Sequence, residues 1–120
     1  MSLSEEQTRV VCGEFVEKTC KQDKIWGLES KDGWAISLSP DDEEIQVIPF
    51  WSAENRAWKY CIDEWSDYKP AAIDRGEFIF DWLNGMANDE VMVGLDWSDD
   101  ADELEVDPTL LAEVFAAYTD

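Results

Sequence analysis

The residues with the clearest potential for chemistry lie near the C-terminus, where oxygen ligands alternate along the chain. An Asp-x-Ser-x-Asp run over residues 96–100 resembles the start of a calcium-binding loop, because a hard cation takes alternate oxygen ligands from a turning chain. The sixth position of such a loop needs glycine for a sharp turn and is Ala101 here. The twelfth position is Asp107, where a longer glutamate would bind the ion with both oxygens. We therefore predict a solvated acidic loop, with no metal site and no bound cofactor.

Catalytic chemistry has little support in this sequence. The chain contains no histidine, which removes the commonest general base, the Ser-His and Cys-His pairs and every zinc site that uses histidine. It also lacks a glycine-rich phosphate loop and the Gly-x-Ser-x-Gly turn of serine hydrolases. Two carboxylates beside a tryptophan would suit glycoside hydrolysis, but a chain with 29 acids contains such pairs by default. We expect a protein that is not an enzyme.

The seven tryptophans are the other residues with recognition chemistry, because an indole combines a large apolar face with one hydrogen-bond donor. Trp58, Trp65 and Trp82 fall on the apolar stripes of predicted helices, so we expect them in the core. Trp51 and Trp97 differ because each follows a predicted strand, where binding residues are often found. We name this pair as candidate binding residues that are partly exposed, with packing in the core as the alternative.

Charge is distributed very unevenly along the chain. The formal net charge is -20, and residues 76–120 contribute thirteen acids and no Lys, Arg or His. Such a surface repels phosphates and anionic lipid head groups and attracts cations. We therefore expect no nucleic-acid or membrane partner on this side, and a basic protein as the possible partner.

The acids are densest just before the last predicted helix. Five of them lie within seven residues, and we name all five as candidate binding residues: Asp99, Asp100, Asp102, Glu103 and Glu105. Their mutual repulsion costs stability unless a cation-rich partner or salt relieves it. A solvated surface that serves only solubility is the alternative.

Cysteine usage and the N-terminus bear on the compartment. Cys12, Cys20 and Cys61 are an odd number without zinc-type spacing, so we expect reduced thiols. The N-terminus has neither a basic start nor an apolar run that resembles a targeting segment. Both features favour a cytoplasmic protein.

The pattern of apolar residues predicts the order of the elements as α-β-β-β-α-α-β-α. The predicted elements are a helix over 5–21, strands over 25–29, 34–38 and 45–50, a helix over 53–65 capped by Ser52, a helix capped by Asp74, a strand over 91–97 and a helix that begins at Asp107-Pro108. Strands and helices that do not strictly alternate indicate an α+β fold. We expect residues 1–120 to form a single α+β domain, in which helices pack on a small, mainly antiparallel sheet of about four strands.

One series of motifs runs through most of the chain. A Pro49-Phe50-Trp51-Ser52 strand end is followed by Trp65, by a Val93-Gly94-x-x-Trp97 strand and by Pro108. In this order the motifs resemble an uncharacterised bacterial family, the domain-of-unknown-function family 2750, over residues 26–115. The resemblance implies a shared fold and no particular activity, since the function of the family is not established. The family pattern often has a glycine where this chain has Glu103, which implies a more acidic and less tightly turned loop here.

Together these observations favour a non-enzymatic, acidic binding module that contacts a basic protein partner. The alternative is a small-ligand or metal-responsive domain that uses the end of the sheet where Trp51 and Trp97 lie. An enzyme of unknown reaction is the third possibility.

Overall fold

The structure is a computed structural model that describes residues 5–31, 33–39, 44–62, 65–97 and 105–119. Its helices are α1 (Glu5–Gln22), α2 (Glu54–Trp58), α3 (Arg75–Glu77), α4 (Leu83–Asn88) and α5 (Pro108–Thr119), and a π-helical turn at Phe78–Trp82 joins α3 to α4. Its strands are β1 (Lys24–Ser30), β2 (Gly33–Trp34), β3 (Ser37–Leu38), β4 (Gln46–Phe50), β5 (Lys69–Asp74), β6 (Met92–Leu95) and β7 (Glu105–Val106). None of these helices combines the length and the apolar character that crossing a membrane requires.

The N-terminal helix α1 forms where the apolar spacing predicts it. Cys12, Phe15 and Val16 lie on one face and are buried. The hydroxyl of Thr19 is also buried, and it donates to the carbonyl oxygens of Phe15 and Val16 at 3.0 and 3.1 Å. These carbonyl oxygens satisfy the hydroxyl, so its burial leaves no unpaired polar group. The helix ends before Asp23, whose φ of 57° turns the chain into β1.

The first sheet is antiparallel and has the order β2-β1-β5. The predicted hairpin is present, since β2 pairs with β1 and Glu29 lies opposite Trp34. Gly33 is the first residue of β2 and has a φ of 127°, a backbone conformation that residues other than glycine rarely adopt. On its other side β1 pairs with β5 over its first six residues, from Lys24 opposite Asp74 to Glu29 opposite Lys69. The sequence pattern did not predict β5.

The second sheet has the order β3-β4-β6-β7 and contains one parallel pair. β4 and β6 run parallel, with Val47 opposite Met92 and Phe50 opposite Leu95. Parallel neighbours need a long crossover, and residues 51–91 supply it with α2, β5 and the helical segment over 75–88. The outer strands β3 and β7 are antiparallel to their neighbours and only two residues long.

The two sheets meet where Trp26 of β1 lies beside Trp51. The amide of Trp26 donates to the carbonyl oxygen of Trp51 at 2.9 Å, and the amide of Trp51 donates to the carbonyl oxygen of Trp26 at 2.7 Å. This isolated antiparallel bridge connects β1 to the residue that follows β4.

Apolar side chains form two buried clusters instead of one. The larger cluster packs α1, the helical segment over 75–88 and α5 against the sheets, and it includes Phe15, Phe50, Phe78 and Phe115. We call the smaller one the tryptophan cluster, whose buried members are Leu28, Ala35, Val47, Trp51, Ala57, Trp65 and Trp97. The ring of Tyr60 packs among three of these indoles, at centroid distances of 5.2 Å to Trp51, 6.3 Å to Trp65 and 6.5 Å to Trp97.

The α+β class is confirmed, and its details differ from the expectation. The strands form two sheets in place of one, and the parallel β4 and β6 pair lies at the centre of the second sheet. The caps predicted for two helices are present: the carboxylate of Asp74 accepts the amide of Glu77 at 3.2 Å, and that of Asp107 accepts the amide of Thr109 at 2.7 Å.

Helix α2 is much shorter than predicted, with consequences for two predictions. It ends at Trp58, and the amides of Tyr60 and Cys61 then bond three residues back in tight turns. On this short helix Ala57 faces the tryptophan cluster, and its neighbour Trp58 points to a different side and is 49% exposed. The predicted place of Trp58 in the core is therefore wrong. Ser52 was predicted as the cap of this helix, but the cap position is Ala53 and the hydroxyl of Ser52 bonds elsewhere.

Gly94 in β6 gives a stability prediction. A methyl group at this position would lie 2.7 Å from two ring carbons of the buried Trp97. We expect Gly94→Ala to lower the free energy of unfolding by about 1–3 kcal/mol, because a buried indole cannot move aside. Urea denaturation measures this change.

Gly85→Ala is the matched control. A methyl group at Gly85 in α4 meets nothing within 4 Å, so this change should stabilise the protein by about 0.5–1 kcal/mol. Equal effects of the two substitutions would contradict the close contact at Gly94.

Candidate functional site

Trp51 and Trp97, the predicted binding pair, lie together at the carboxyl ends of β4 and β6. Their exposed fractions are 0% and 3%, so the expectation that they are partly exposed is wrong. The indole Nε1 of Trp51 donates to the carbonyl oxygen of Trp97 at 2.9 Å. Both rings fill the tryptophan cluster, and the one donor of Trp51 is already used inside the protein.

Ser52 and Asp96 join the same two strand ends by hydrogen bonds. The amide of Ser52 donates to Oδ1 of Asp96 at 2.7 Å, and the hydroxyl of Ser52 donates to Oδ2 at 2.8 Å. The amide of Asp96 donates to the carbonyl oxygen of Phe50 at 2.9 Å. Nε2 of Gln22, the last residue of α1, donates to the carbonyl oxygen of Ser52. These bonds close the carboxyl ends of β4 and β6 and attach them to α1.

The calcium-like run does not act as a unit in the described part of the chain. Both carboxylate oxygens of Asp96 accept bonds from Ser52, and Asp107 caps α5. Ser98 and Asp100 lie outside the described residues. Within the described ranges no three Asp, Glu or Cys side chains lie where they could share a metal ion.

Of the five acids named as binding residues, the structure describes one. Asp99, Asp100, Asp102 and Glu103 lie outside the described residues. Glu105 lies in β7 opposite Gly94, and its Oε1 accepts the hydroxyl of the buried Ser39 at 3.0 Å. Its Oε2 is buried and accepts no hydrogen bond from the described residues.

An open groove of about 650 Å³ lies at the opposite end of β4 and β6, where these strands begin. We call it the acidic groove, because its walls contain four acids and no base: Glu44, Asp89, Glu90 and Asp107. Most of the other lining residues are apolar, namely Leu38, Ile45, Ala87, Val91, Met92 and Pro108. All four acids are exposed.

The end of α4 positions two of the groove acids. The amide of Val91 donates to the carbonyl oxygen of Met86 and the amide of Glu90 to that of Ala87, which is the Schellman pattern of helix ends. Glu90 therefore takes the left-handed position of this motif with a φ of 59°, where glycine is usual. Asp89 and Glu90 also place negative charge at a helix C-terminus, where the helix dipole disfavours it.

Sequence reasoning missed this groove because three distant segments supply its acids. Glu44 precedes β4, Asp89 and Glu90 follow α4, and Asp107 caps α5. Only the parallel pairing of β4 with β6 brings the segments together. One signal was available, since Asp89-Glu90 stands at the end of a helical stripe where a helix stop normally has glycine.

The thiols of Cys12 and Cys61 show no sign of activation. Burial raises the pKa of Cys12 to about 11, although Arg9 opposes this shift. Burial also raises the pKa of Cys61. Both thiols therefore stay protonated at neutral pH, which is the inert form.

Asp96 gives a prediction that separates a structural carboxylate from a ligand. Asp96→Ala should lower the free energy of unfolding by about 2–4 kcal/mol, because it leaves the amide and hydroxyl of the buried Ser52 without their acceptor. Asp96→Asn keeps an acceptor oxygen and tolerates the φ of 46°, so it should cost less than about 1 kcal/mol. Chemical denaturation of both variants tests this, and similar losses would argue against the bonds to Ser52.

A family model described as "Protein of unknown function (DUF2750)" matches residues 12–115. No curated protein and no solved structure matches the chain. The matched residues make up most of the sequence, and they include the Pro-Phe-Trp-Ser strand end and the Val-Gly-x-x-Trp strand. The chain therefore belongs to the DUF2750 family, as its motifs predicted.

Proposed function

We propose that this protein is a non-enzymatic binding module that contacts a basic protein partner through its acidic C-terminal surface. The observation that carries the proposal is the separation of charge, since every Lys and Arg of the chain lies at or before Arg75. Membership of the DUF2750 family is compatible with this function and assigns no activity of its own.

The exposed acids of the C-terminal part support the proposal. Beyond Arg75, the described residues with exposed acidic side chains are Glu77, Asp81, Asp89, Glu90, Asp107 and Glu113. In the described ranges, Glu113 is the one member of this set with a basic partner, Arg9 at 3.8 Å. Both side chains of that pair are about half exposed or more, so it neutralises little of the local field.

The charge separation favours a protein over other partners. Acids without bases repel nucleic acid and anionic membranes. They accelerate the encounter with a cationic surface and orient it, because electrostatic complementarity acts mainly on association rate and specificity. Stability alone does not account for so many acids without bases, since their mutual repulsion destabilises the folded state.

The small-ligand alternative at the end of the sheet loses its main support. It required exposed rings at Trp51 and Trp97, and both rings are buried. The donor of Trp51 and the carboxylate of Asp96 are both used in internal bonds. A ligand at this end would have to displace the tryptophan cluster.

The test replaces five acids by their amides: Asp99→Asn, Asp100→Asn, Asp102→Asn, Glu103→Gln and Glu105→Gln. The wild-type protein is immobilised on a resin and exposed to an extract of its source cells at low salt. It should retain basic proteins that elute as the salt concentration rises. The variant should bind the same proteins more slowly and with a weaker salt dependence. Its melting temperature should be unchanged or slightly higher, since repulsion is removed.

A control variant changes the same number of charges in the first part of the chain. Its substitutions are Glu6→Gln, Glu14→Gln, Glu29→Gln, Glu54→Gln and Asp67→Asn, all at exposed positions. It should keep the association rate closer to that of the wild type than the C-terminal variant does. If both variants capture the same proteins at the same salt as the wild type, the five substituted acids serve solubility alone.

A further inference from the structure

We infer that the acidic groove is the docking site for a segment of the basic partner in which a lysine or arginine stands beside an apolar residue. The inference rests on the proposed function and adds to it a location and an occupant. No residue of the groove belongs to the five acids that the sequence pattern singled out.

The size and lining of the groove suit a short polypeptide segment. Its volume of about 650 Å³ is in the range of protein sites that hold several side chains. Leu38 at its wall is 54% exposed and is available for contact. Ile45 and Met92 are half-buried and extend this apolar surface toward the strands. An apolar side chain of a partner would bury area against these residues.

The charges of the groove specify the second feature of the occupant. Four acids surround the apolar surface, and no base lies among the lining residues. Asp89 and Glu90 make no side-chain hydrogen bond or ion pair with the described residues, so a cationic group from outside meets no internal competitor for them. No three of the described acids converge on one point, which favours a chain with separated charges over a single metal ion.

The backbone around Asp89 and Glu90 shows that these acids are costly where they stand. Glu90 holds the left-handed position of a helix end, which glycine occupies at lower cost. The helix dipole further disfavours two carboxylates at this end of α4. A cationic partner would offset both charges, whereas solubility alone would be served as well by acids at any exposed position.

The experiment measures binding of a defined probe, a fluorescent peptide in which two lysines flank one leucine. Asp89→Asn/Glu90→Gln should lower its affinity about tenfold at low salt, because two attractions to the lysines of the peptide are lost. The matched control, Glu14→Gln/Asp81→Asn, removes the same charge at exposed positions outside the groove and should change the affinity less than about threefold. Melting curves check that every variant is folded.

Two further measurements test the apolar feature and the location. Leu38→Ser should weaken binding of the leucine peptide and leave binding of a peptide with serine in its place unchanged. In an NMR titration of the wild-type protein, the amide shifts should change most at Gln46, Met92 and Thr109, which line the groove. Shifts that cluster on another surface would overturn the inference.

The outcomes distinguish this inference from the proposed function. Equal losses in the groove variant and its control would place binding elsewhere on the acidic surface, which refutes the groove and leaves the proposed function standing. If the wild type binds the peptide no better than an analogue with glutamine in place of lysine, a basic partner is excluded for both. Spermine is a polycation without an apolar side chain. If it competes with the peptide at equal concentration of positive charge and Leu38→Ser has no effect, the occupant is a polyamine and the inference is wrong.

Discussion

The fold depends on one residue, Trp51, whose backbone and side chain hold three strands together. Its amide and carbonyl exchange hydrogen bonds with Trp26, which joins the two sheets, and its indole donates to the carbonyl oxygen of Trp97 after β6. The ring itself is fully buried in the tryptophan cluster. A buried donor without an acceptor is costly, so the indole of Trp51 constrains the position of Trp97. This constraint explains why an aromatic residue at a strand end, a position typical of binding sites, is part of the core here.

The same constraint decides which end of the parallel strands is available to a partner. Ligands of open parallel sheets usually bind beyond the carboxyl ends of the strands. In this protein that end is filled by two indoles and closed by the bonds between Ser52 and Asp96. The opposite end, between Gln46 and Met92, is open and acidic. The bonds that stabilise the fold and the proposed recognition site thus lie at opposite ends of one strand pair.

The sequence predicted those features that depend on local patterns. Helix α1, the caps at Asp74 and Asp107 and the α+β class follow from apolar spacing and capping chemistry, which act within a few residues. β5 was missed because Lys-Pro-Ala-Ala-Ile-Asp has weak strand character and forms a strand only through its pairing with β1. The acidic groove was missed for a related reason, since its acids meet only after β4 and β6 pair. Trp51 was predicted to be partly exposed because the sequence shows its place at the end of a strand. The sequence does not show Trp26 and Trp97, the distant residues to which Trp51 bonds.

The parallel pairing of β4 with β6 also has a consequence for how the chain folds. Residues 51–91 separate the two strands, and this connection must close before the central pair of the second sheet can form. Contacts between residues so far apart in the sequence slow folding, because the chain loses entropy on closing the connection before the strand pairing stabilises it. During synthesis β4 is left without its neighbour until the ribosome has released β6. An apolar strand with an unpaired edge is prone to aggregation during that interval. Residues 51–91 are made before β6, and their excess of acids over bases adds the repulsion that opposes aggregation.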